Sequence, residues 1–316
     1  MTLLVYDDIY LKHYCGEWHP ERPERLQYAI SALEKSGLMS KLHRVSPRAA
    51  SKQELALVHT KSYIDEVERL SQTGHQWLDL DTCVSEHSWE AAIKAVGGVL
   101  AACDEILKGT TRTAFCAVRP PGHHATPARG MGFCIFNNVA IAARYLQSFA
   151  GLSRIAIVDW DCHHGNGTAE TFYHDSSVLY ISLHRYPFYP GSGSENEAGE
   201  GTATGTTLNI PLPASTPKDE YRNKYEAALR DTLIPFKPQF ILISAGFDAL
   251  AVDPIAGLGL SPEDFGWMTK MVCDAARETA GCRVVSALEG GYNLDALAEC
   301  VCVHVAALID GEEACA

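Results

Sequence analysis

The sequence predicts an α/β fold built on a mostly parallel sheet covered by helices. Three observations carry that expectation. Short β-rich runs alternate with longer helical patterns along the 316 residues, the order that produces a parallel sheet. Most of the β-rich runs are continuously apolar, as strands buried on both faces require. Five of them lead straight into polar or glycine-rich residues, and in an open parallel sheet such loops gather beyond the carboxyl ends of the strands, where ligands bind.

The predicted strands are 2–6, 114–118, 154–158, 178–182, 240–244 and 283–288, and the predicted helices are 87–107, 138–149, 218–234, 262–280 and 294–308. Ser261 before Pro262, with Asp264 close behind, marks a helix start. No repeat, low-complexity segment or linker divides the chain, so one catalytic domain over 1–316 is expected. Hydrophobic residues make up 47% and charged residues 21%, ordinary for a chain that buries one large core.

Composition also excludes some functions. No apolar run reaches the roughly 18 residues that span a bilayer. The first ten residues carry Asp7 and Asp8 and no basic segment, so no export signal is read. The net charge is −13 with no basic cluster, which argues against nucleic acid and suits solubility or attraction of cationic ligands. Eleven cysteines without a C-x-x-C pair suggest reduced thiols in a cytoplasm, not a disulfide scaffold or zinc ribbon. Oligomeric state has no signature here.

The strand-end loops hold the chemistry. Asp161 and His163 lie two apart at the end of a strand, so extended chain points both the same way. Asp248 ends another strand and can add a third donor. Alone, an Asp-x-His suits a loop capping its own backbone; the acids and histidines at 159, 161, 163 and 164, and the second strand ending in Gly-Phe-Asp248, favour a metal. Two carboxylates and an imidazole leave a coordination position open, as catalytic sites do. Zn²⁺ is the first choice, and Fe²⁺ or Co²⁺ fits the same donors. His123 and His124, in a Pro-Pro-Gly-His-His turn, suit proton transfer near neutral pH, with Asp159 and Asn166 as candidate tautomer-setting partners. Tyr292 follows two glycines and its phenol could donate to an oxyanion.

Taken together, six segments resemble the histone deacetylase family, including bacterial deacetylase-like amidohydrolases and acetylpolyamine amidohydrolases. They are His-Pro-Glu-Arg-Pro-Glu-Arg at 19–25, Arg-Pro-Pro-Gly-His-His at 119–124, Gly-Phe-Cys-Ile-Phe-Asn-Asn at 132–138, Asp-Trp-Asp-Cys-His-His-Gly-Asn-Gly-Thr at 159–168, Ser-Ala-Gly-Phe-Asp at 244–248 and Leu-Glu-Gly-Gly-Tyr-Asn at 288–293. Asn166 and the Glu-Gly-Gly-Tyr form look like the class II branch.

The resemblance implies an arginase–deacetylase fold with a parallel sheet of about eight strands between helices. It implies zinc on Asp161, His163 and Asp248, His124 as the main base and then acid assisted by His123, and Tyr292 on the oxyanion. Asp159 would orient His123 and Asn166 would stand behind His124. Phe133 and Tyr189, with the backbone of Gly132, would wall a tunnel. It further implies K⁺ on oxygens of Asp159, Asp161, His163, Ser182 and Leu183, and a second monovalent cation near Phe172, Asp175 and Val178. Polyamine-selective relatives often carry an acid where this chain has Ile255, so an acyl-lysine peptide or a broad range of small acylamines is the expected substrate, with acetylpolyamines the alternative. A ureohydrolase of the same fold would need a paired-metal carboxylate cluster. A non-catalytic acyl-lysine or polyamine binding module would not need His123, His124 and Tyr292.

Overall fold

A computed structural model describes residues 1–315. Its strands are, in chain order, β1 (Leu3–Val5), β2 (His43–Val45), β3 (Gln76–Trp77), β4 (Cys83–Val84), β5 (Thr113–Cys116), β6 (Ile155–Asp159), β7 (Val178–Arg185), β8 (Thr207–Leu212), β9 (Phe240–Ala245) and β10 (Val284–Leu288). Eight of them form one sheet in the order β2-β1-β5-β10-β9-β6-β7-β8, and every neighbouring pair is parallel. This is the expected architecture. β3 and β4 form a separate antiparallel ribbon.

The central strands are buried on both faces: every residue of β5, β6, β9 and β10 is buried. Their continuous apolar sequences follow from that, because helices cover the sheet on each side. Sequence reading missed β2 and β8, and both are edge strands. β2 is largely exposed and β8 alternates in burial and carries Pro211, so neither shows an apolar run. It also missed the helices Glu24–Lys35 and Lys61–Gln72.

The helix starts hold the site loops in place. Ser261 and Asp264 form a capping box ahead of Pro262 at the first turn of Pro262–Thr279, the signal the sequence gives there. Asn293 caps Leu294–Glu313, its side chain accepting from Ala296 N at 3.2 Å. Asn137 does the same for Asn138–Ala150 through Ala140 N at 3.0 Å. Each such cap contributes about 1 kcal/mol. The first of these two fixes the exit of the loop carrying Tyr292, and the second the exit of the loop carrying His123 and His124.

One expectation is overturned. The thiols are not all reduced: Cys15–Cys83 and Cys282–Cys315 are disulfides. Their partners stand 68 and 33 residues apart in sequence, and only the fold brings them together, which is why spacing alone gave no hint of them. Seven cysteines are free, six of them buried. Among the described residues no helix is long and apolar enough to cross a membrane.

Candidate active site

The sheet order explains why five loops meet. β5, β10, β9, β6 and β7 are consecutive neighbours, all parallel, so their carboxyl ends form one continuous stretch of edge. Asp159 at the end of β6 sits in register between Ser244 of β9 and Ser182 of β7. The residues just past that row are Asp161 and His163, Asp248, and Glu289 to Tyr292.

Asp161, His163 and Asp248 come together, all three buried. His163 Nδ1 lies 3.1 Å from Asp161 Oδ1 and 2.9 Å from Asp248 Oδ2. The backbone aims both carboxylates: Gly290 N donates to Asp161 Oδ2 at 2.8 Å, and Cys162 N donates to Asp248 Oδ1 at 2.8 Å. Asp248 Oδ2, fully buried, has the His163 ring nitrogen beside it at 2.9 Å but no aligned donor. A buried carboxylate oxygen without a donor is costly, and two buried carboxylates on one imidazole call for a cation. This donor set therefore fits a divalent metal. Without one, a proton does part of that work. Burial alone would depress His163, yet the Asp161 and Asp248 carboxylates beside its ring hold it up at about 10. Burial and the Asp161 charge push Asp248 up to about 7.

The two neighbouring histidines differ because their partners differ. His123 Nδ1 lies 2.9 Å from Asp159 Oδ2, which also accepts from the Tyr180 hydroxyl at 2.9 Å. Burial would lower His123, but Asp159 and Asp161 outweigh it and raise it to about 10. His124 Nδ1 lies 2.8 Å from Asn166 Oδ1. Asn166 donates its amide to the Met131 sulfur at 3.4 Å, so its oxygen is the atom that faces His124. An amide adds no charge. Burial and then the adjacent His123 and His163 push His124 well below its ordinary value. One imidazole is thus held charged and the next one neutral, with their rings 4.0 Å apart.

The walls follow. Phe133 packs edge-on to the Tyr292 ring at 5.8 Å, and Tyr189 packs edge-on to His124 at 5.2 Å. Phe133 has φ +68°, uncommon for a bulky residue. Thr82 Oγ1 accepts its N–H at 2.9 Å, and Asp81 Oδ1 accepts that of Gly132 at 3.1 Å. Burial pushes the Tyr292 phenol well above its usual range, and the nearby Asp248 and Asp161 charges add to that, so it stays a donor. Ile255 is half-buried, its N–H bound to Asp253 Oδ1 at 2.9 Å. Ser182, the register partner of Asp159, places its Oγ 2.8 Å from His184 Nδ1. Leu183 follows it, buried. Around the second expected cation, Asp175 gives its side chain to Arg144 and Ser177, and the Phe172 carbonyl accepts the Asp175 N–H at 2.9 Å.

Sequence reasoning assigned no role to four further residues. Arg25, fully buried, donates to Gly291 O at 2.7 Å and Glu289 O at 2.5 Å, and its guanidinium lies 5.0 Å from the Tyr292 ring centre. Glu21 pairs with both Arg25 and Arg119. Asp253 Oδ2 accepts the Tyr292 N–H at 2.8 Å. Glu289 Oε2 accepts from Gly122 N at 2.6 Å and His123 N at 3.2 Å, joining two site loops. Charged residues inside the quoted segments at 19–25 and 288–293 were the available signal, but spacing names no partner for them. Phe188, stacked on His163 at 5.2 Å, was also missed.

Known proteins resemble this chain over most of its length. Residues 19–308 match the histone deacetylase domain model. A probable deacetylase of Archaeoglobus fulgidus is 40% identical over 93% of this chain and 82% of its own. The chloroplastic histone deacetylase 10 of Oryza sativa subsp. japonica is 38% identical over 90% and 68%. The crystal structure of the HDA15 HD domain superposes with TM-score 0.91 at 36% identity, covering 98% of this chain and 88% of that one. On the domain match, these identities and a shared eight-stranded architecture, the chain belongs to the histone deacetylase family.

Proposed function

We propose that this protein is a zinc-dependent hydrolase that removes acetyl or related acyl groups from a lysine side chain or a similar amine. The observation that carries the reading is the buried Asp161, His163 and Asp248 set, with one carboxylate oxygen lacking an aligned donor, beside one histidine on a carboxylate and a second on an amide. Those three residues would hold Zn²⁺, with Fe²⁺ or Co²⁺ as substitutes. When bound, it supplies Lewis acidity toward the amide carbonyl and the attacking water.

The protein's own groups do the rest. His124 is neutral, with Asn166 on Nδ1, so Nε2 carries the lone pair that takes the water's proton. His123 stays charged against Asp159 and stabilises negative charge as it builds. Tyr292 donates its hydroxyl to the oxyanion. His124 then returns its proton to the leaving nitrogen, the C–N bond breaks, and a carboxylate and a free amine result. Phe133 and Tyr189 line the approach and limit it to a slender chain.

The proposal includes K⁺ held by oxygens around Asp159, Asp161, His163, Ser182 and Leu183, and a second monovalent cation by Phe172, Asp175 and Val178. It keeps the cytoplasm as the compartment on the seven free thiols, with the two disulfides counting against it. Apolar Ile255 offers no charge to a second amine, which favours acyl-lysine over acetylpolyamine. The test is acetate release from an acetyl-lysine peptide with Zn²⁺ present. Activity should vanish with a chelator and return with Zn²⁺, and Tyr292→Phe should lower kcat by roughly 10²–10³. Indifference to the chelator would remove the metal from the mechanism.

A further inference from the structure

A second cavity lies outside the site. It encloses about 400 Å³ between the short helix Asn166–Phe172 and β8, with Ser192 and Glu197 of the β7–β8 loop on one side. Two polar atoms of its lining residues are buried without an aligned hydrogen bond, His164 Nε2 and Asn209 Oδ1. His164 is 1% exposed and Asn209 is 3% exposed. The other end of each side chain is engaged. His164 Nδ1 lies 2.9 Å from Ser192 Oγ, and Asn209 Nδ2 donates to Glu197 O at 2.9 Å. The atom left over on Asn209 is therefore an acceptor. With its proton on Nδ1 toward Ser192, His164 offers a second lone pair at Nε2. Buried polar atoms rarely go without partners, and two on one cavity wall mark a place where a ligand supplies them.

The charge around those atoms selects the occupant. Glu170 lines the cavity and has no ion-pair partner among the described residues. The Glu197 carboxylate accepts the N–H groups of Gly193 and Ser194, each at 3.0 Å. No lysine or arginine lines the cavity. Its histidine and carboxylate atoms do not converge as those of Asp161, His163 and Asp248 do, so a bare metal ion finds no tight donor set. Acceptors spread over a negative cavity of this size fit an organic cation that carries its own N–H donors. A primary ammonium on a short alkyl chain has both properties.

The cavity reaches the site through Asn166. That residue lines the cavity, and its Oδ1 lies 2.8 Å from His124 Nδ1. A cation lodged behind the amide opposes the positive charge that His124 gains when it takes a proton.

We propose that the cavity between Asn166–Phe172 and β8 is a regulatory site for a short-chain primary ammonium, held by Asn209 Oδ1 and His164 Nε2, and that its binding slows proton transfer by His124. The binding stands apart from the deacylase reading; the effect on turnover rests on it.

Butylammonium is the probe, on the full chain with Zn²⁺ and K⁺ present. An alkyl hydroxamate first fills the tunnel, so that calorimetry reads binding elsewhere. Butylammonium should still bind saturably. Tetramethylammonium, which has the charge and no N–H, should bind at least about tenfold more weakly. Asn209→Leu removes the acceptor and should weaken butylammonium by about tenfold or more. Glu170→Gln should weaken it about threefold, and it keeps the test decisive if Asn209→Leu lowers the melting temperature. In turnover of an acetyl-lysine peptide without hydroxamate, competition in the tunnel raises KM alone, whereas the cavity should lower kcat at least about threefold at saturation. That fall should disappear in Asn209→Leu, each variant being compared with its own rate without butylammonium. No binding with the tunnel filled, equal binding of the two cations, or indifference to both substitutions overturns the site. Binding with an unchanged kcat overturns the link to His124. A chain that neither takes the hydroxamate nor releases acetate sinks the deacylase reading, and the two cations and two variants then decide the cavity by calorimetry alone.

Discussion

Arg25→Met isolates how the tyrosine loop is held. Methionine keeps much of the stem volume and removes the guanidinium. The wild-type group makes three hydrogen bonds in a fully buried position, to Gly291 O, Glu289 O and Glu21 Oε1 at 2.7, 2.5 and 3.1 Å, and it stacks 5.0 Å from the Tyr292 ring. Its loss leaves two buried carbonyls without donors and Glu21 with Arg119 as its remaining guanidinium. Breaking one side of such a pair costs about 3–5 kcal/mol, a large share of a typical total stability of about 5–15 kcal/mol. Urea unfolding at pH 7 should show that loss at an unchanged m-value. The same loop carries Tyr292, so kcat should fall about 10- to 100-fold while KM moves little, since the oxyanion donor acts in the transition state. Bound zinc should stay near one per chain, because Asp161, His163 and Asp248 make no contact with Arg25. Arg25→Lys should rescue little, since an ammonium cannot reproduce the planar fork across two carbonyls and a carboxylate. A variant within about 1 kcal/mol of wild type, with unchanged kcat, would refute the reasoning.

Other perturbations test separate parts of the site. In Gly290→Ala the new Cβ would stand 2.5 Å from Asp161 Oδ2 and 2.6 Å from Asp248 Oδ2; zinc affinity measured by competition with a chromogenic chelator should drop at least about tenfold. Asp253→Asn keeps one acceptor oxygen where the carboxylate used two, on Ile255 N and Tyr292 N, so kcat on an acetyl-lysine peptide should fall about tenfold at a stability cost of about 1–3 kcal/mol. Acid should unfold the protein early. Burial lowers His59 to about 4, His184 to about 4 and His304 to about 3, so the folded state binds fewer protons than the unfolded one. Their stability is complete above the unfolded value of 6.5 and is lost as pH falls from there toward 4. The loss is on the order of 2 kcal/mol apiece at pH 5, about 6 together. Chemical denaturation at pH 7 and pH 5 checks it, and equal midpoints would contradict it.

How much was legible follows from where each residue gets its signal. The buried cluster of Asp161, His163 and Asp248 could be anticipated because the first two are two apart on extended chain and Asp248 closes a run of buried strand; local spacing carries that information. The partners of His123 and His124 were nameable because Asp159 and Asn166 flank the donors in the same loop. Arg25, Asp253 and Glu289 were not, because their roles lie in contacts across tens to hundreds of residues: Arg25 holds the carbonyl of Gly291, 266 positions away. The edge strands β2 and β8 escaped for a different reason, since half-exposed strands need no apolar run. The disulfides escaped because a cysteine carries no mark of its partner.

The sequence by itself therefore determined the layered α/β class, the strand ends that bear chemistry and the donor types at each. These are properties of periodicity and side-chain chemistry along a few consecutive residues. Only the tertiary structure decided which strands are neighbours, and so which five loops share an edge. It also decided that one histidine faces a carboxylate and the next an amide at bonding distance, and that a buried arginine grips the tyrosine loop. Those facts depend on where distant segments meet in space, and on burial that shifts a charge only once water has been excluded.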